Sequence, residues 1–160
     1  RVNGCTGCWA CKKSGKCVID DGVNEFVEKA AEADGYIFGS PVYYASAAGA
    51  LVSFMDRVFY SGGKKLAYKP AAAVVSCRRA GASTTFDVLN KYFTISGMPI
   101  ASSQYWNSVH GAAAGEAVED LEGLQTMRTL GKNMAWMLRG LKQEPLPASE
   151  DPKLKTSFVR

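Results

Sequence analysis

The sequence lacks the features that mark several common classes of protein. It has no apolar run long enough to span a bilayer, and no basic segment followed by an apolar run opens it as in a signal peptide. Its net charge of +4 is small for 160 residues, and its Lys and Arg residues are scattered among acids rather than gathered into a stripe. Such a distribution does not indicate a nucleic-acid-binding surface. We therefore expect a cytoplasmic protein with no membrane and no nucleic-acid partner.

The sequence also lacks an initiator Met and any element before its first motif. Arg1 opens the chain and Cys5 follows without a preceding strand or helix, so we expect a fragment of a longer chain. The composition, with 47% hydrophobic and 21% charged side chains, is typical of one globular domain with a single core. We predict this domain at residues 1–143. The proline-containing segment at residues 144–160 is expected to be an irregular tail.

Apolar residues follow two alternating periodicities along the chain. Three short apolar runs, at residues 36–38, 71–75 and 100–106, are typical of strands buried on both faces. Around them, apolar residues recur at helical spacing. No obvious hairpin turn separates the elements, which predicts right-handed crossovers and an open parallel sheet covered by helices on both faces. The predicted helices run from caps at Asp20 and Asp21 to Asp34, from Leu51 to a stop at Ser61-Gly62-Gly63, from Phe86 to Phe93, and from Leu121 to Leu141.

The topology of such sheets selects the candidate functional segments. In open parallel sheets, ligands bind at the carboxyl ends of the strands. Three loops follow the predicted strands, at residues 40–46, 76–84 and 107–115. We expect these loops to converge on one ligand.

Four cysteines near the start of the chain form its densest chemical signal. Their two-residue gaps let one turn point successive thiolates at a small inorganic group, and Gly4, Gly7 and Gly15 allow a tight backbone. The spacing suits a [4Fe–4S] cluster, but a structural zinc ion uses the same four ligands, and reduced loop thiols beside a cofactor are a third interpretation. The candidate metal ligands, within a loop at residues 4–19, are Cys5, Cys8, Cys11 and Cys17.

The segment after the first predicted strand offers backbone N–H groups and two tyrosine rings to a flat heterocycle. The competing interpretation is a connector shaped by proline, whose tyrosines cover the core. Its candidate cofactor-binding residues are Ser40, Pro41, Val42, Tyr43, Tyr44, Ala45 and Ser46.

The other two segments offer different groups to the same ligand. Small residues after the second strand permit close approach of the backbone, and paired arginines suit a ring carbonyl or a dinucleotide phosphate, although a solvated loop is the alternative. The third segment offers a stacking ring, an amide donor and the single imidazole of the chain, which in a polar loop is more often a structural hydrogen-bonding group than a general acid. We expect Cys77 to be buried or to line its loop. The candidates are Ser76, Cys77, Arg78, Arg79, Ala80, Gly81, Trp106, Asn107 and His110.

Taken together, these segments resemble the NAD(P)H-dependent FMN reductase and iron–sulfur flavoprotein group of the flavodoxin superfamily, over nearly the whole chain. Gly4-Cys5-x-Gly7-Cys8-x-x-Cys11 with Gly15-Lys16-Cys17 and Asp20-Asp21 is similar to the compact cysteine motif of iron–sulfur flavoproteins. In that family the motif holds a [4Fe–4S] cluster close to FMN. Ser76 to Gly81 matches the third flavin loop in position. Ser40-Pro41-x-Tyr43 with Gly49, Leu51, Phe54, Asp56 and Arg57 is similar to the second flavin loop and the helix after it.

The resemblance implies a fold, a chemistry and partners. The fold is a flavodoxin-like three-layer α/β sandwich, and the implied cofactors are FMN, NAD(P)H as co-substrate and a [4Fe–4S] cluster on the four cysteines. Electrons would pass from NAD(P)H through FMN to a quinone, a flavin or another small acceptor, with no protein nucleophile. The alternatives are an electron-transfer flavoprotein that serves ferredoxin and a non-catalytic FMN-binding or zinc-stapled module. Family members commonly pair across the flavin site, which implies a homodimer or homotetramer.

One departure from the family concerns the FMN phosphate. The family begins with a strand, a Ser/Thr-rich phosphate-binding loop, a helix and a second strand, and none of these precedes Arg1. The phosphate normally lies at the N terminus of that helix, where unpaired N–H groups and the helix dipole favour an anion. We therefore expect the sandwich to be incomplete at its N-terminal end.

Overall fold

The computed structural model describes residues 2–143 and residue 156 of the chain. The tail predicted at residues 144–160 lies outside the described residues, apart from Thr156. Helices and strands alternate as the sequence predicts, and one additional short helix lies inside the cysteine segment. The helices are α1 (Ala10–Ser14), α2 (Val23–Ala30), α3 (Gly49–Leu66), α4 (Ala82–Ile95) and α5 (Leu121–Leu141), with a 3-10 turn at Glu116–Val118. The strands are β1 (Tyr36–Tyr43), β2 (Ser46–Ala47), β3 (Ala71–Cys77) and β4 (Ser108–His110).

These strands form one open sheet in the order β2-β1-β3-β4. The pairs β1–β3 and β3–β4 are parallel, as expected from the alternation of strands and helices. The expectation of no hairpin is wrong at one place, because β2 pairs antiparallel with the end of β1 through a turn at Tyr44 and Ala45. Tyr44 adopts a φ of 57°, in the left-handed region that tight two-residue hairpins require. The sheet is therefore mixed.

Helices cover the sheet on both faces. On one face α2, α3 and α4 enclose the main core, in which Phe38 of β1 packs with Met55, Val58 and Phe93. On the other face Leu130 and Met134 of α5 pack against Ala72 and Ala101. Successive β3 residues thus contact opposite layers, as the period of two in a strand requires. The three-layer α/β arrangement expected from the sequence is confirmed.

Strand β1 differs from its prediction. The apolar run at residues 36–38 was expected to be buried on both faces, but burial alternates along the strand and the Ile37 side chain is 55% exposed. The physical reason is the position of α5, whose apolar face packs on β3 and on Ala101 rather than on β1. The outward face of β1 therefore remains exposed in the described chain.

The third predicted strand is also wrong in position. Residues 100–106 form only an isolated bridge between Ile100 and Ala71, and the regular strand begins at Ser108. Local hydrogen bonds replace the ladder, because the Ser103 hydroxyl donates to the carbonyl of Tyr105 at 2.6 Å. The loop predicted at residues 107–115 consequently begins only after His110.

Two helix boundaries also differ from prediction. Helix α3 continues through Gly62 and Gly63, where a stop was expected. Gly62 is a packing position, since a Cβ there would lie 2.5 Å from Cγ1 of Val27 in α2. Helix α2 begins after Gly22 without the predicted side-chain cap, because Asp21 is engaged by an arginine of α3. The helix ends at Ala30, before the predicted end at Asp34. Across the described residues, no helix is both long enough and apolar enough to cross a bilayer.

Candidate functional site

The sheet brings the three candidate loops to one edge. At the carboxyl ends of the parallel strands, Pro41 lies opposite Ser76, and Cys77 lies opposite His110. The backbone N–H of Gly111 then donates to the carbonyl of Cys77 at 3.0 Å. The segments that follow β1, β3 and β4 are therefore neighbours, as the topology predicts.

A glycine lets two of these segments touch. Gly81 precedes α4 with a φ of 83°, a conformation that side chains rarely adopt. A Cβ on Gly81 would lie 2.7 Å from Cγ1 of Val42 and 3.0 Å from Cα of Ala45. The turn at residues 78–81 therefore lies directly against the β1–β2 hairpin only because position 81 has no side chain.

Three of the candidate residues support this edge from inside. The Ser40 hydroxyl donates to the Pro41 carbonyl at 2.8 Å and accepts from the Ala48 N–H at 2.9 Å. The buried Asn107 amide donates to the Ala73 carbonyl at 3.1 Å and accepts from Ser103. Cys77 is buried, and its burial raises the pKa of its thiol. These side chains have structural partners, so a direct contact of any of them with a cofactor stays a prediction.

Other candidate side chains at the edge are exposed. Tyr43 is 65% exposed and Trp106 is 59% exposed, and Tyr44 is fully in solvent. At the same edge, a cavity of about 260 Å³ lies between the strand ends, lined by Pro41 and Ser76 and with apolar walls from Val74, Val75, Val109 and Met127. Apolar walls, backbone edges and exposed rings fit the flat heterocycle that the sequence predicts here. The remaining candidates are exposed at Pro41, Ala45, Arg78, Arg79 and Ala80 and half-buried at Val42, Ser46, Ser76 and Gly81.

The single histidine is paired with an aspartate that the sequence analysis missed. Nδ1 of His110 lies 3.3 Å from Oδ2 of Asp120, and the same oxygen accepts from the His110 backbone N–H at 2.7 Å. Asp120 also caps α5 by accepting from the Gly123 N–H at 2.9 Å. Backbone hydrogen bonds from Gly123 and His110 hold the pKa of this carboxyl below its usual range. The sequence does carry a signal for Asp120 as a helix cap, because an aspartate directly before the apolar run of α5 is typical of an N-cap.

The four candidate metal ligands line a second cavity of about 260 Å³. Cys5 and Cys8 are exposed at its mouth, Cys11 and Cys17 are half-buried, and none of the four is in a disulfide. The short helix α1 turns the chain between the second and fourth cysteines, and Gly15 closes it with a φ of 70°.

An aromatic pair forms one wall of the cysteine cavity. Trp9, between two of the cysteines, meets Tyr60 of α3 edge to face, with 5.4 Å between the ring centroids. The Lys12 ammonium lies 3.9 Å from the centroid of the Trp9 ring. Both rings line the cavity, although each side chain is itself more than half exposed.

Four cysteine side chains are the candidate metal ligands of this cavity. In the described chain, no three His, Cys, Asp or Glu side chains are close enough together to hold one metal ion. Zinc takes sulfur atoms at about 2.3 Å from one centre, and an iron–sulfur cluster takes the same soft donors, so the four cysteines that line this cavity fit either group. Hydrogen bonds, first from the Ala10 backbone and then from the Thr6 side chain, lower the pKa of the Cys8 thiol and favour the thiolate that binds metal.

Arg57 of α3 is the second residue whose role the sequence analysis missed. Its side chain is 1% exposed, and it pairs with Asp21 at 2.5 Å between Nη1 and Oδ2. The hydrogen bond from Arg57 lowers the pKa of the Asp21 carboxyl to about 2. The available signal was an arginine inside the apolar pattern of α3, because a charge in a helical core position requires a buried partner.

Comparisons with known proteins relate the whole region to flavoproteins. The family model described as NADPH-dependent FMN reductase matches residues 3–113, which include the cysteine segment and the three strand ends. An iron–sulfur flavoprotein of Methanocaldococcus jannaschii is 35% identical over 153 residues, covering 89% of this chain and 78% of that protein. An iron–sulfur flavoprotein of Methanosarcina thermophila is 30% identical over 138 residues, covering 84% of this chain and 71% of that protein.

Solved structures show the fold alone. RosB with a bound riboflavin-phosphate intermediate aligns with a TM-score of 0.64 and 14% identity, over 89% of this chain and 67% of that one. A WrbA-like flavodoxin of Agrobacterium tumefaciens aligns with a TM-score of 0.60 and 18% identity, over 76% of this chain and 78% of that one. The flavodoxin-like fold expected from the sequence is confirmed.

Proposed function

The chain belongs to the NADPH-dependent FMN reductase family, and from that premise we propose that it is an FMN-dependent oxidoreductase with a [4Fe–4S] cluster in its cysteine loop. The observation that carries the proposal is the juxtaposition of three strand-end segments at one edge of the sheet. The cavity beside α3 that all four cysteines of the loop line supports the second cofactor.

The flavin would lie against the exposed strand-end segments. Backbone N–H groups of residues 42–45 and 78–81 would bind the ring carbonyls, and the Tyr44 and Trp106 rings would cover its apolar face. Arg78, exposed in the second of these segments, would stabilise negative charge on the ring. When bound, FMN supplies hydride and electron chemistry that no side chain offers, so the protein contributes binding, orientation and electrostatics.

The electron donor and acceptor complete the proposed reaction. NADH or NADPH would give two electrons to FMN, and a quinone, a second flavin or another small compound would receive them. Cys5, Cys8, Cys11 and Cys17 would hold the cluster, which would supply one-electron transfer. The homodimer or homotetramer and the cytoplasmic location implied by the sequence stay predictions.

Anaerobic mixing of the protein with FMN and each nicotinamide nucleotide tests the reductase. The flavin absorbance is expected to bleach with NADH or with NADPH. Absence of bleaching with both nucleotides would reject nicotinamide-dependent reduction and would leave flavin binding standing.

Metal analysis tests the cluster independently of turnover. Anaerobically purified protein is expected to contain iron and acid-labile sulfide, and Cys11→Ser is expected to lose most of both. Cys77→Ala is the matched control, because Cys77 is a cysteine outside the metal cavity and should leave the iron content unchanged. Zinc without sulfide would support the zinc-stapled module instead.

A second function, electron transfer with ferredoxin, is supported by the exposure of Cys5 and Cys8 at the mouth of the cavity. Exposed Lys12 and Lys13 next to this mouth would favour an acidic redox protein. Reduction of the flavin by reduced ferredoxin, but not by NADH or NADPH, would favour this function over the first.

A further inference from the structure

Arg57 is a buried cation in the middle of α3. Its side chain is 1% exposed, and burying a guanidinium is costly unless its donors and its charge are all matched. Its only ion-pair partner in the described residues is Asp21. The remaining donors face the segment that carries the cysteines.

Each donor group of Arg57 contacts that segment at a different place. Nη1 donates to the Asn3 carbonyl at 3.1 Å as well as to Asp21, and Nη2 donates to the Ile19 carbonyl at 2.8 Å. Nε donates to Sγ of Cys17 at 3.2 Å. One side chain therefore holds the beginning and the end of the cysteine segment against the helix.

The contact with sulfur distinguishes Arg57 from a purely structural residue. A neutral thiol is a weak acceptor, whereas a thiolate accepts a strong, charge-assisted hydrogen bond from guanidinium. Cys17 is half-buried and lines the same cavity as Cys5, Cys8 and Cys11, and Arg57 itself forms part of the wall. The guanidinium thus faces a sulfur that is placed to bind metal.

We propose that Arg57 is a positioning residue of the cysteine site, which orients the Cys17 sulfur as a ligand and raises the reduction potential of the cluster. The proposal rests on the proposed function, since it requires the cluster. A hydrogen bond to a ligating sulfur withdraws electron density and stabilises the reduced cluster. A lysine cannot replace Arg57 in this role, because an ammonium lacks the planar fork of a guanidinium, which reaches Cys17, Ile19 and Asp21 together.

Substitutions at Arg57 and Asp21 separate positioning from simple loss of a buried ion pair. Both Arg57→Lys and Asp21→Asn disturb the pair, but only Arg57→Lys removes the hydrogen bond to Cys17. Asp21→Asn also removes a negative charge near the site, which by itself raises a reduction potential. The two variants are therefore expected to shift the potential in opposite directions.

The experiment uses the anaerobically reconstituted full chain and variants Arg57→Lys, Arg57→Gln, Asp21→Asn and Arg128→Lys. Circular dichroism checks folding, an EPR-monitored redox titration gives the cluster potential, and loss of iron to a chelator gives its retention. Arg57→Lys is expected to lower the potential and to lose iron roughly tenfold faster, the usual cost of removing a group that orients a ligand. Arg57→Gln is expected to do both more strongly, whereas Arg128→Lys, at an exposed position of α5, should match the wild type.

Three results would overturn the proposal. Wild-type protein without iron and sulfide would reject the cluster, and with it this role of Arg57. A wild-type protein with a cluster, together with an unchanged potential and unchanged iron loss in Arg57→Lys, would reject the role of Arg57 alone. If Arg57→Gln does not fold, Arg57→Lys decides, because it keeps the positive charge and lacks only the planar fork, and a potential above that of the wild type contradicts the proposal.

Discussion

At the scale of single residues, Gly81 controls how closely two of the strand-end segments approach. We predict that Gly81→Ala weakens FMN binding by about tenfold or more and destabilises the fold by about 1–3 kcal/mol. The reason is that its Cβ would overlap Val42 and Ala45 while also imposing strain at a φ of 83°. Flavin fluorescence titration and urea unfolding measure the two effects.

Gly22→Ala is the matched control for this substitution, since Gly22 lies outside the strand-end segments. Gly22 has a φ of 86°, yet a Cβ there would meet nothing within 4 Å. It should therefore show the backbone strain without the overlap, and FMN affinity should stay at the wild-type value. Equal loss of FMN affinity in both variants would mean that contact between the two segments does not shape the flavin site.

The buried ion pair predicts a specific loss of stability in acid. The pKa of Asp21 is about 2 in the folded chain, against an ordinary value of 3.8. Because the folded-state pKa is depressed, the stabilisation is fully present above about pH 5 and is lost as the pH falls through about 2. The depressed pKa of Asp21 corresponds to about 2 kcal/mol of the free energy of unfolding. Urea unfolding of the wild type at several pH values between about 5 and 2 measures it.

Asp21→Asn should remove that part of the pH dependence. It should also lower the free energy of unfolding at neutral pH by about 3–5 kcal/mol, because the Arg57 charge is left buried and uncompensated. Glu25→Gln provides the comparison, since Glu25 forms only an exposed pair with Lys29, and such pairs contribute little. If the wild type and Asp21→Asn lose stability in parallel over this pH range, Asp21 does not carry the effect.

Which single residues could be predicted from the sequence depends on how local their signals are. Tyr43, Tyr44 and the cysteines were assigned from spacing and from the rule for strand ends, which act within one segment. Arg57 contacts Asn3 and Cys17, which are 54 and 40 positions away in the chain. No local pattern contains that information, so only the tertiary structure assigns its partners.

At the scale of elements, two adjacent glycines of α3 predict opposite effects. Gly62 faces Val27 of α2, whose Cγ1 would lie 2.5 Å from a new Cβ. Gly62→Ala is therefore expected to destabilise the protein by about 1–3 kcal/mol, because overpacking outweighs the gain in helix propensity. Gly63→Ala, where a Cβ meets nothing within 4 Å, should stabilise by about 0.5–1 kcal/mol. Thermal or urea unfolding gives both values.

A double variant shows whether the overlap with Val27 is the cause. Val27→Ala combined with Gly62→Ala should be less destabilised than the sum of the two single variants, because the new methyl group occupies space that Val27 leaves. Additive losses would instead indicate that α2 and α3 do not pack through this pair.

The glycines of α3 also show why element boundaries are harder to predict than elements. The apolar period of α5 gave its residues correctly, since one face of a long helix repeats many times. Ser61-Gly62-Gly63 was interpreted as a stop because glycine disfavours helix locally, whereas close packing of α2 requires it there. Strand β4 was displaced for a related reason, because the side-chain hydrogen bonds of Ser103 and Asn107 decide where pairing begins.

At the scale of the whole molecule, α3 connects the two candidate cofactor sites. The helix begins at Gly49, directly after the β1–β2 hairpin, and Arg57 lies on its third turn beside the cysteine cavity. Eight residues of α-helix span about 12 Å along its axis. A rigid helix would thus hold the flavin edge and the cysteine site at a fixed separation.

Hydrogen exchange measured by mass spectrometry can test whether these are two sites or one. With FMN at about a hundredfold excess over Kd, exchange through local opening should slow about a hundredfold in the segments that bind the ring. We predict this protection at residues 42–45, 78–81 and 106–110. Residues 4–19 should respond little to FMN and should lose protection when iron is removed by a chelator, because their order would depend on thiolate ligation of the proposed cluster.

The two cofactors should therefore protect different segments, and α3 should remain protected in both cases because Met55, Val58 and Leu66 are fully buried in the main core. Riboflavin in place of FMN provides the matched ligand, since it carries the same ring without the phosphate. If riboflavin and FMN protect the three strand-end segments alike, the ring alone accounts for those contacts. Protection by FMN at residues 4–19, with none at 42–45 or 78–81, would instead place the flavin in the cysteine cavity and contradict the assignment of the sheet edge.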